Sequence, residues 1–509
     1  MKFLKPLFSR TFLGIVFLII QLVLLILPML GVYERSVYTH FFITVTSLVV
    51  IIFEINRETD SGFKLIWIAM IAIFPIFGVF LYVYVHSDAI GYYIKKRFGR
   101  QNLRTSKISY YIGENPEKTE EDAGEEYGII SYLHAKAYAP CFKGRNTEYF
   151  PLGEDMYASL LKDIENAKEY IFLEFFIINE NDFMWKSIYS RLLQKVREGV
   201  EVRLIYDAMG SLSLVSRNFD KKLTSEGIKC LQFSPVKPFI STYHNNRNHR
   251  KMVIIDGKYA YTGGINIADE YINRKVRFGH WKDTAVRIEG EGVKGFLLMY
   301  FKIWDFLCKT KGQNEEYFTI TPPADIQSGY VVPFDDSPVD DEFVTRNLYL
   351  HIINSAKDYV YINTPYLILD DALTAALKFA AARGVDVRIC MPHIPDKWYA
   401  FVLGRSYYPE LLKAGVKIYE YTKGFLHAKS TVSDDLRAYV GSANYDYRSL
   451  YLHYECGVYF YKNNVIEKLK SDYIKTLEQC MLFDITKYKK LPLWYRITGR
   501  VLRLFASLM

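Results

Sequence analysis

A duplicated pattern, His-x-Lys-x4-Asp, constrains the fold of this chain more than any other feature of the sequence. The first copy comprises His249, Lys251 and Asp256, and the second comprises His427, Lys429 and Asp434. Each copy is followed, at the same spacing, by a Gly-Gly or Gly-Ser pair and then by an asparagine. The second members of these pairs and the asparagines are Gly264 and Asn266 in the first copy, and Ser442 and Asn444 in the second. A pattern of this length repeated in register predicts two equivalent halves, each contributing one copy to a single site.

A wider repeat surrounds the two motifs. The sequence Ala-Lys-Glu-Tyr-Ile at 167–171 returns as Ala-Lys-Asp-Tyr-Val at 356–360, and Gly-Val-Glu-Val-Arg at 199–203 returns as Gly-Val-Asp-Val-Arg at 384–388. Within the halves, apolar stretches alternate with amphipathic helical stretches. This alternation is typical of a mostly parallel or mixed sheet covered by helices on both faces. We therefore predict an α/β fold made of two fused halves.

The residues around the first motif predict a strand, a turn and a second strand. Residues 252–255 are apolar, so His249 and Lys251 lie at the start of a strand and point to one of its faces. Gly257 allows a hairpin turn, and residues 259–262 form the returning strand. Because each copy then lies at a strand-turn-strand edge of its half, neither half is expected to be active alone.

The residue types in the motif suit chemistry at a phosphodiester. Histidine supplies a nucleophile or a proton donor near neutral pH. Lysine offers a positive charge to a phosphate oxygen, and an asparagine amide donates a further hydrogen bond. Because each group occurs twice, one histidine can attack phosphorus while the other protonates the leaving oxygen. We predict that substrate is bound by Asn266, Asn444, Gly264 and Ser442.

Two roles are open for the aspartates of the motifs. Asp256 and Asp434 belong to the predicted catalytic set together with the histidines and lysines. The alternative is that each aspartate supports the turn after its strand, or the lysine, and does not contact substrate.

The N-terminal region is predicted to be a transmembrane helical anchor. Residues 12–32 and 65–85 are each apolar over a length that can cross a hydrocarbon core, which takes about 20 residues. Residues 41–53 are a weaker candidate, so two or three helices are expected within 1–92. A cleaved signal peptide is the alternative for the first stretch, although no small-residue cleavage site follows it. The basic cluster at 95–107 predicts a cytoplasmic catalytic region.

Composition and charge set the remaining divisions. Acidic residues near 114–126 predict a solvated linker, and we divide the rest of the chain into a linker at 93–133, halves at 134–325 and 326–484, and a tail at 485–509. Apolar residues and arginines at helical spacing in the tail predict an amphipathic helix on an anionic membrane surface, with docking on the protein's own core as the alternative. The net charge of +8 is spread out and does not indicate nucleic acid, and the 6 cysteines show no metal or disulfide spacing.

These segments resemble the phospholipase D superfamily and, within it, the bacterial cardiolipin synthases. The resemblance rests on the two motifs with their flanking residues, on the Thr-Pro-Tyr sequence at 364–366 and on the Phe-Pro-Ile-Phe-Gly sequence at 74–78. It covers nearly the whole chain from about residue 39 onward.

The resemblance implies a multi-pass enzyme of the bacterial cell membrane that needs no metal or cofactor. Phosphatidylglycerol would form a phosphatidyl-histidine and release glycerol, and a second phosphatidylglycerol would accept the phosphatidyl group to give cardiolipin. His249 would attack and His427 would act as acid and base, although the symmetry of the sequence does not decide this order. Asp283 and Glu455 would orient the histidines, with ordinary ion pairing as the alternative for both acids.

Three other functions remain open from the sequence. A hydrolytic phospholipase D or another phosphatidyltransferase would use water or a different alcohol as acceptor. A nuclease could use the same motif, but the apolar segments weigh against it, and a catalytically inactive lipid-binding scaffold is disfavoured because both motifs are intact. The oligomeric state and the acyl preference are not predicted.

Overall fold

The structure, a computed structural model, describes residue 19 and residues 37–86, 89–114, 116–144, 147–235, 245–309, 314–319, 329–340 and 342–509. The helices are α1 (Val37–Ile55), α2 (Ser61–Ile73), α3 (Pro75–His86), α4 (Ala89–Ile112), α5 (Pro116–Ala123), α6 (Tyr127–Ala137), α7 (Gly153–Asn166), α8 (Phe183–Arg197), α9 (Phe219–Ser225), α10 (Val293–Cys308), α11 (Val344–Ser355), α12 (Asp371–Ala382), α13 (Trp398–Lys413), α14 (Val465–Leu477), α15 (Ile485–Lys490) and α16 (Leu493–Arg503).

The strands are β1 (Phe142–Lys143), β2 (Thr147–Phe150), β3 (Tyr170–Phe175), β4 (Glu201–Asp207), β5 (Lys229–Phe233), β6 (Met252–Ile255), β7 (Tyr259–Gly263), β8 (His280–Lys282), β9 (Ala285–Glu289), β10 (Tyr330–Asp336), β11 (Tyr359–Asn363), β12 (Leu367–Ile368), β13 (Asp386–Pro392), β14 (Lys417–Tyr421), β15 (Gly424–Leu426), β16 (Ser430–Ser433), β17 (Arg437–Gly441), β18 (Tyr445–Asp446), β19 (Glu455–Tyr461) and β20 (Cys480–Phe483).

Two large mixed sheets share one strand order, which confirms the predicted pair of α/β halves. The first sheet runs β2-β9-β7-β6-β3-β4-β5, and the second runs β1-β10-β19-β17-β16-β11-β13-β14-β20. Removing β1 and β20 from the edges of the second sheet leaves the order of the first. In each sheet the strands β3-β4-β5 or β11-β13-β14 are parallel and the other pairs are antiparallel. The edge strand β1 comes from a segment that the sequence division assigned to the first half.

Three apolar cores hold the halves together. One lies between the first sheet and its outer helices α7, α8 and α9. Another lies between the second sheet and helices α6, α11, α12 and α13. The third fills the space between the two sheets and contains α10, whose side chains are buried along almost its whole length. Because apolar burial contributes about 25 cal/mol per Å² removed from water, this shared core couples the two halves.

The predicted hairpin around the first motif is confirmed. Strands β6 and β7 pair in antiparallel register, with Met252 opposite Thr262. The turn uses Asp256 and Gly257, both with positive φ angles of 51° and 62°. The second motif is followed by the corresponding hairpin of β16 and β17.

The apolar stretch at 65–85, predicted as a membrane span, is not one continuous helix. The chain breaks at Phe74, and helices α2 and α3 on either side contain 13 and 12 residues. Pro75 causes the break, because proline disfavours a helical conformation in the residue before it and starts helices readily. Gly78 lets the two helices meet closely, since a β-carbon there would lie 2.8 Å from the Cα atom of Ile71.

Within the part of the chain that the structure describes, no helix combines the length and the apolar character that a membrane crossing requires. The predicted span at 12–32 lies outside these residues, apart from position 19.

The acidic segment predicted as a solvated linker is helical instead. Helix α5 and a short 3-10 turn occupy it, and the turn ends at Glu126, which is buried. The carboxylate of Glu126 accepts hydrogen bonds from Arg437, at 2.8 Å, and from Tyr459, and it contacts His351 at 2.6 Å. Glu126 can be buried against the second half because the buried guanidinium of Arg437 balances its charge.

The tail docks on the protein, which is one of the two arrangements that the sequence left open. Helix α16 docks on α13 through Gly499, where a β-carbon would lie 3.0 Å from the carbonyl oxygen of Val402. Its opposite side exposes large apolar side chains, including Trp494 and Ile497 at 63% and 50% of their surface. The helix is therefore held by the protein and still presents an apolar face outward.

Candidate active site

Each motif strand is held by a segment of the other half. The backbone N–H of His249 donates to the carbonyl of Tyr454 at 2.9 Å, and that of His427 donates to the carbonyl of Lys282 at 2.7 Å. The second contact continues as the parallel pairing of β15 with β8. The two motifs therefore meet at the boundary between the halves, in one site.

The carboxylates that orient the histidines are also exchanged between the halves. Nδ1 of His249 lies 2.9 Å from Oε1 of Glu455, and Nδ1 of His427 lies 2.6 Å from Oδ2 of Asp283. All four side chains are buried. With Nδ1 occupied on each ring, Nε2 is the nitrogen that remains for chemistry. The predicted orienting acids are thus in contact with the histidines, each across the boundary.

Two residues predicted to bind substrate contact these carboxylates. The hydroxyl of Ser442 donates to Oε2 of Glu455 at 2.5 Å. At the equivalent position Gly264 makes room for Asp283, since a β-carbon on Gly264 would lie 2.1 Å from Oδ1 of that residue. Substrate binding by Gly264 and Ser442 stays a prediction.

The lysines of the motifs are buried and point along their own strands. Nζ of Lys251 donates to the carbonyl of His249 at 2.5 Å, and Nζ of Lys429 makes the same bond to the carbonyl of His427. Burial lowers the pKa of Lys251 to about 8 and that of Lys429 to about 7. Both values fall because a charge is costly away from water, so an incoming phosphate anion would be the natural counterion for either ammonium.

The histidines have lowered pKa values for the same reason. Burial holds the pKa of His249 well below its usual range, against the opposing effect of Glu455. Burial, reinforced by Lys429 and Lys251, does the same to His427. Lys251 therefore acts on a histidine of the other motif, as expected if both motifs face one cleft.

The two carboxylates differ. Burial opposes ionisation of Glu455, but the electrostatic interaction and the hydrogen bond with His249 outweigh burial and hold the pKa of Glu455 well below its usual range. Burial raises the pKa of Asp283 to about 7, and the opposing effect of Lys429 is too small to cancel it. The symmetric motifs thus have unequal acids behind them.

Asp256 and Asp434 lie at the far ends of their strands, and their prediction as catalytic residues is corrected. The carboxylate of Asp256 accepts hydrogen bonds from the backbone N–H groups of residues 168, 169 and 170, at 2.7, 2.8 and 2.9 Å. The carboxylate of Asp434 accepts the same three bonds from residues 357, 358 and 359, at 2.8, 3.0 and 2.9 Å. Each aspartate ties its hairpin to the start of the central strand, which is the supporting role left open by the sequence.

The asparagines behave differently from one another. Asn266 is engaged on both sides of its amide, since it donates to the hydroxyl of Tyr271 at 2.8 Å and accepts from the N–H of Ile177 at 3.0 Å. Asn444 donates to Asp446 at 3.0 Å, and its buried Oδ1 has no hydrogen-bond partner among the described residues. Substrate binding by these two asparagines stays a prediction.

A third histidine was missed by the sequence reasoning. The ring centre of His453 lies 5.3 Å from that of His249, and neither of its buried nitrogens has a hydrogen-bond partner within the described ranges. Trp281 stands in the same relation to His427, also at 5.3 Å. His453 precedes Glu455 by two positions, and Trp281 precedes Asp283 by two positions. An alignment of the two halves would therefore have shown that the second half has a histidine where the first has a tryptophan.

His249, His453 and Glu455 also form a group with the donor types of a metal site. Their ligand atoms lie within 4.8 Å of one another. An ion bound there would have to replace the hydrogen bond between His249 and Glu455, because both of its atoms are among the ligands.

A two-half α/β fold with paired histidines and lysines at the boundary defines the phospholipase D class of phosphodiester-transferring proteins. The sequence matches the family described as cardiolipin synthase, PLD-like domain, at residues 160–279 and 349–477, and the phospholipase D-nuclease N-terminal family at residues 42–85. It is 44% identical over 460 residues to an uncharacterized protein of Streptococcus mutans, covering 90% of this chain and 99% of that one. It is 34% identical over 474 residues to a cardiolipin synthase of Alkalihalophilus pseudofirmus, covering 92% and 93% of the two chains.

The fold is shared with solved structures as well. The crystal structure of phosphatidylserine synthase from Haemophilus influenzae superposes with a TM-score of 0.57 at 12% identity, covering 75% of this chain and 100% of the other. The chain belongs to the cardiolipin synthase family of phospholipase D-like proteins.

Proposed function

We propose that the protein is a cardiolipin synthase, a phosphatidyltransferase that joins two molecules of phosphatidylglycerol and releases glycerol. The observation on which this rests is the crossed arrangement of His249 with Glu455 and His427 with Asp283, beside two buried lysines. Such a site provides a nucleophile, an acid and countercharges for one phosphodiester. Its relatives named cardiolipin synthase support the choice of lipid.

The reaction proceeds in two displacements at phosphorus. Nε2 of His249 forms a bond to phosphorus as the bond to the glycerol oxygen breaks. His427, protonated when the bound phosphate anion offsets the cost of burying its charge, gives the proton on Nε2 to that oxygen. A hydroxyl of the second phosphatidylglycerol then gives its proton to His427 and attacks phosphorus, and the N–P bond breaks. Lys251 and Lys429 balance the charge of the non-bridging oxygens in both steps. Glu455 stabilises the positive charge that develops on His249.

A lipid substrate is favoured by an apolar cavity beside the site. The cavity has a volume of about 360 Å³ and is lined mainly by α2 and α3, with Leu452 from the second half. Leu452 directly precedes His453, and another lining residue, Asn246, stands three positions before His249. An apolar space this close to the motifs fits an acyl chain and has no use in cutting nucleic acid.

We place the protein at the inner face of a bacterial cell membrane, with α16 on the lipid surface. The support is an outward apolar face on α16, the basic helix α4, and contact between the tail and α2, where Ser507 donates to the carbonyl of Gly62 at 3.1 Å. In vesicles with a photoactivatable acyl chain, we expect labelling of the peptide containing Trp494. The peptide containing Val276, which is 80% exposed in the first half, is the matched control. Equal labelling of both peptides, or none of either, would reject this placement.

Membranes containing the protein and phosphatidylglycerol as sole lipid substrate provide the test of the reaction. We expect cardiolipin and glycerol to appear in equal amounts, because each transfer releases one headgroup. Lipid products are resolved by chromatography and mass spectrometry, and glycerol is assayed in the soluble fraction. Phosphatidic acid without cardiolipin would instead establish a hydrolase, and cleavage of single-stranded DNA at a comparable rate would favour a nuclease.

A further inference from the structure

A second cleft opens next to the segment that follows the second motif, and it shares the lining residue Leu508 with the apolar cavity. Its volume is about 220 Å³, and it is bounded by the end of β12, the start of α13 and the segment that follows the second motif. The lining residues that matter are Tyr366, Lys397, Tyr399, Asp446, Arg448 and Leu508.

Asp446 connects the lining of the cleft to the second motif. One oxygen of its carboxylate accepts from the amide of Asn444 in the second motif at 3.0 Å, and the other accepts from the backbone N–H of Ser449 at 2.7 Å. On the opposite wall, Lys397 is close enough to His427 to contribute to the lowering of its pKa. The cleft therefore adjoins the second motif, and the charge of Lys397 acts on the histidine that exchanges protons with the alcohol.

The charges in the cleft favour an anion. Lys397 and Arg448 are both exposed, and neither forms an ion pair with any acid in the described ranges. The lining contains these two cations and one carboxylate side chain, Asp446, which holds the two bonds above. Asp396, next to Lys397 in sequence, is not a lining residue and accepts from the hydroxyl of Tyr366 at 2.5 Å. The ammonium of Lys397 also lies 5.4 Å from the centre of the Tyr366 ring, which limits where it can point.

The other end of the cleft is apolar and lies on the side of the tail. Tyr399 and Leu508 line it, and they are 39% and 50% exposed. Leu508 belongs to the tail, whose outward face we have placed on the lipid surface. A molecule in this cleft would thus have its anionic part at the two cations and its apolar part toward the membrane.

We propose that this cleft binds the phosphodiester of the acceptor phosphatidylglycerol, with Lys397 and Arg448 as its countercharges. The inference rests on the proposed function and adds how the acceptor is chosen. In the second displacement the acceptor's terminal hydroxyl forms the new O–P bond, its proton passes to His427 and the N–P bond to His249 breaks. Because a three-carbon glycerol links that hydroxyl to the acceptor's own phosphate, the phosphate must lie within the length of one glycerol from His427. Lys397 is near enough for its charge to act on that ring. Water has no phosphate, so Lys397 and Arg448 do not favour it as an acceptor.

Three acceptors separate recognition of the phosphate from recognition of the acyl chains. Labelled glycerol has neither, glycerophosphoglycerol has the phosphate alone, and phosphatidylglycerol has both. For the full-length variant Lys397→Gln with Arg448→Gln, we expect transfer to both phosphate-bearing acceptors to fall about tenfold relative to transfer to glycerol, since two charge-assisted contacts are lost. Lys413→Gln, an exposed lysine at the other end of α13, is the matched control and should leave the ratio unchanged.

The outcomes separate this inference from the proposed function. If the parent protein exchanges glycerol but makes no cardiolipin, the proposed function fails before the variants are considered. If the parent makes cardiolipin and the double variant keeps its acceptor ratio, or loses transfer to glycerol in parallel, the acceptor site is rejected. A rise in phosphatidic acid at the expense of cardiolipin in the double variant supports it, because water then replaces the weakened acceptor.

Discussion

Replacing His249 or His427 with asparagine is expected to lower cardiolipin formation by at least about 10³-fold, and the two variants should fail at different steps. A phosphatidyl ester of p-nitrophenol reveals the difference, because this leaving group departs without a proton. The variant His427→Asn should release one equivalent of p-nitrophenol in a burst and stop as a phosphatidyl-enzyme. The variant His249→Asn should show no burst. Mass spectrometry of the trapped protein should locate the modification at His249.

The opposite pattern, a burst only in His249→Asn, would reverse the roles of the two histidines. A burst in both variants would contradict covalent catalysis by either one. Asp256→Asn is a suitable control from within the same motif, because its carboxylate holds backbone N–H groups and not substrate. We expect it to lower the free energy of unfolding by about 1–3 kcal/mol while the folded protein keeps its burst.

The repeat explains why so much of the fold could be predicted. The alternation of strands and helices in each half was predicted from local periodicity, and the turn at Gly257 from a residue type that suits a positive φ angle. What the sequence could not show was pairing across the halves. Nothing local to His249 indicates that its partner acid is Glu455, because the contact joins residues 206 positions apart.

The errors have physical causes of the same kind. Asp256 is of a residue type that often acts as a catalytic acid. The direction of its side chain, however, depends on the positive φ of the turn, and its carboxylate accepts hydrogen bonds from another loop. The apolar stretch at 65–85 has the hydropathy of a span, but Pro75 divides it. His453 was overlooked because its importance comes from the ring it faces and not from its neighbours in sequence.

Because the pKa values of Glu455 and Asp283 are shifted in opposite directions, we expect the variants Glu455→Gln and Asp283→Asn to differ in the pH dependence of kcat/KM. Because the pKa of Glu455 is well below its usual range, this acid is ionised throughout pH 6–8. Glutamine removes that charge at every pH and can hold His249 in the wrong tautomer. We expect kcat/KM for phosphatidylglycerol to fall about 10²–10⁴-fold, by an amount that does not change between pH 6 and pH 8.

Asp283→Asn should behave differently because burial raises the pKa of this acid to about 7. A raised carboxyl pKa means that the charge is absent below pH 7 and present above it, so asparagine resembles the native side chain at pH 6 and differs from it at pH 8. The ratio of native to variant kcat/KM should therefore grow about tenfold over that interval, as one proton is lost. Parallel pH profiles for the two variants would contradict the inequality of the acids. If the two variants lose the same fraction of kcat/KM at pH 8, both histidines are supported by an ionised carboxylate at that pH. The difference between the two halves is then confined to pH values at which Asp283 is protonated.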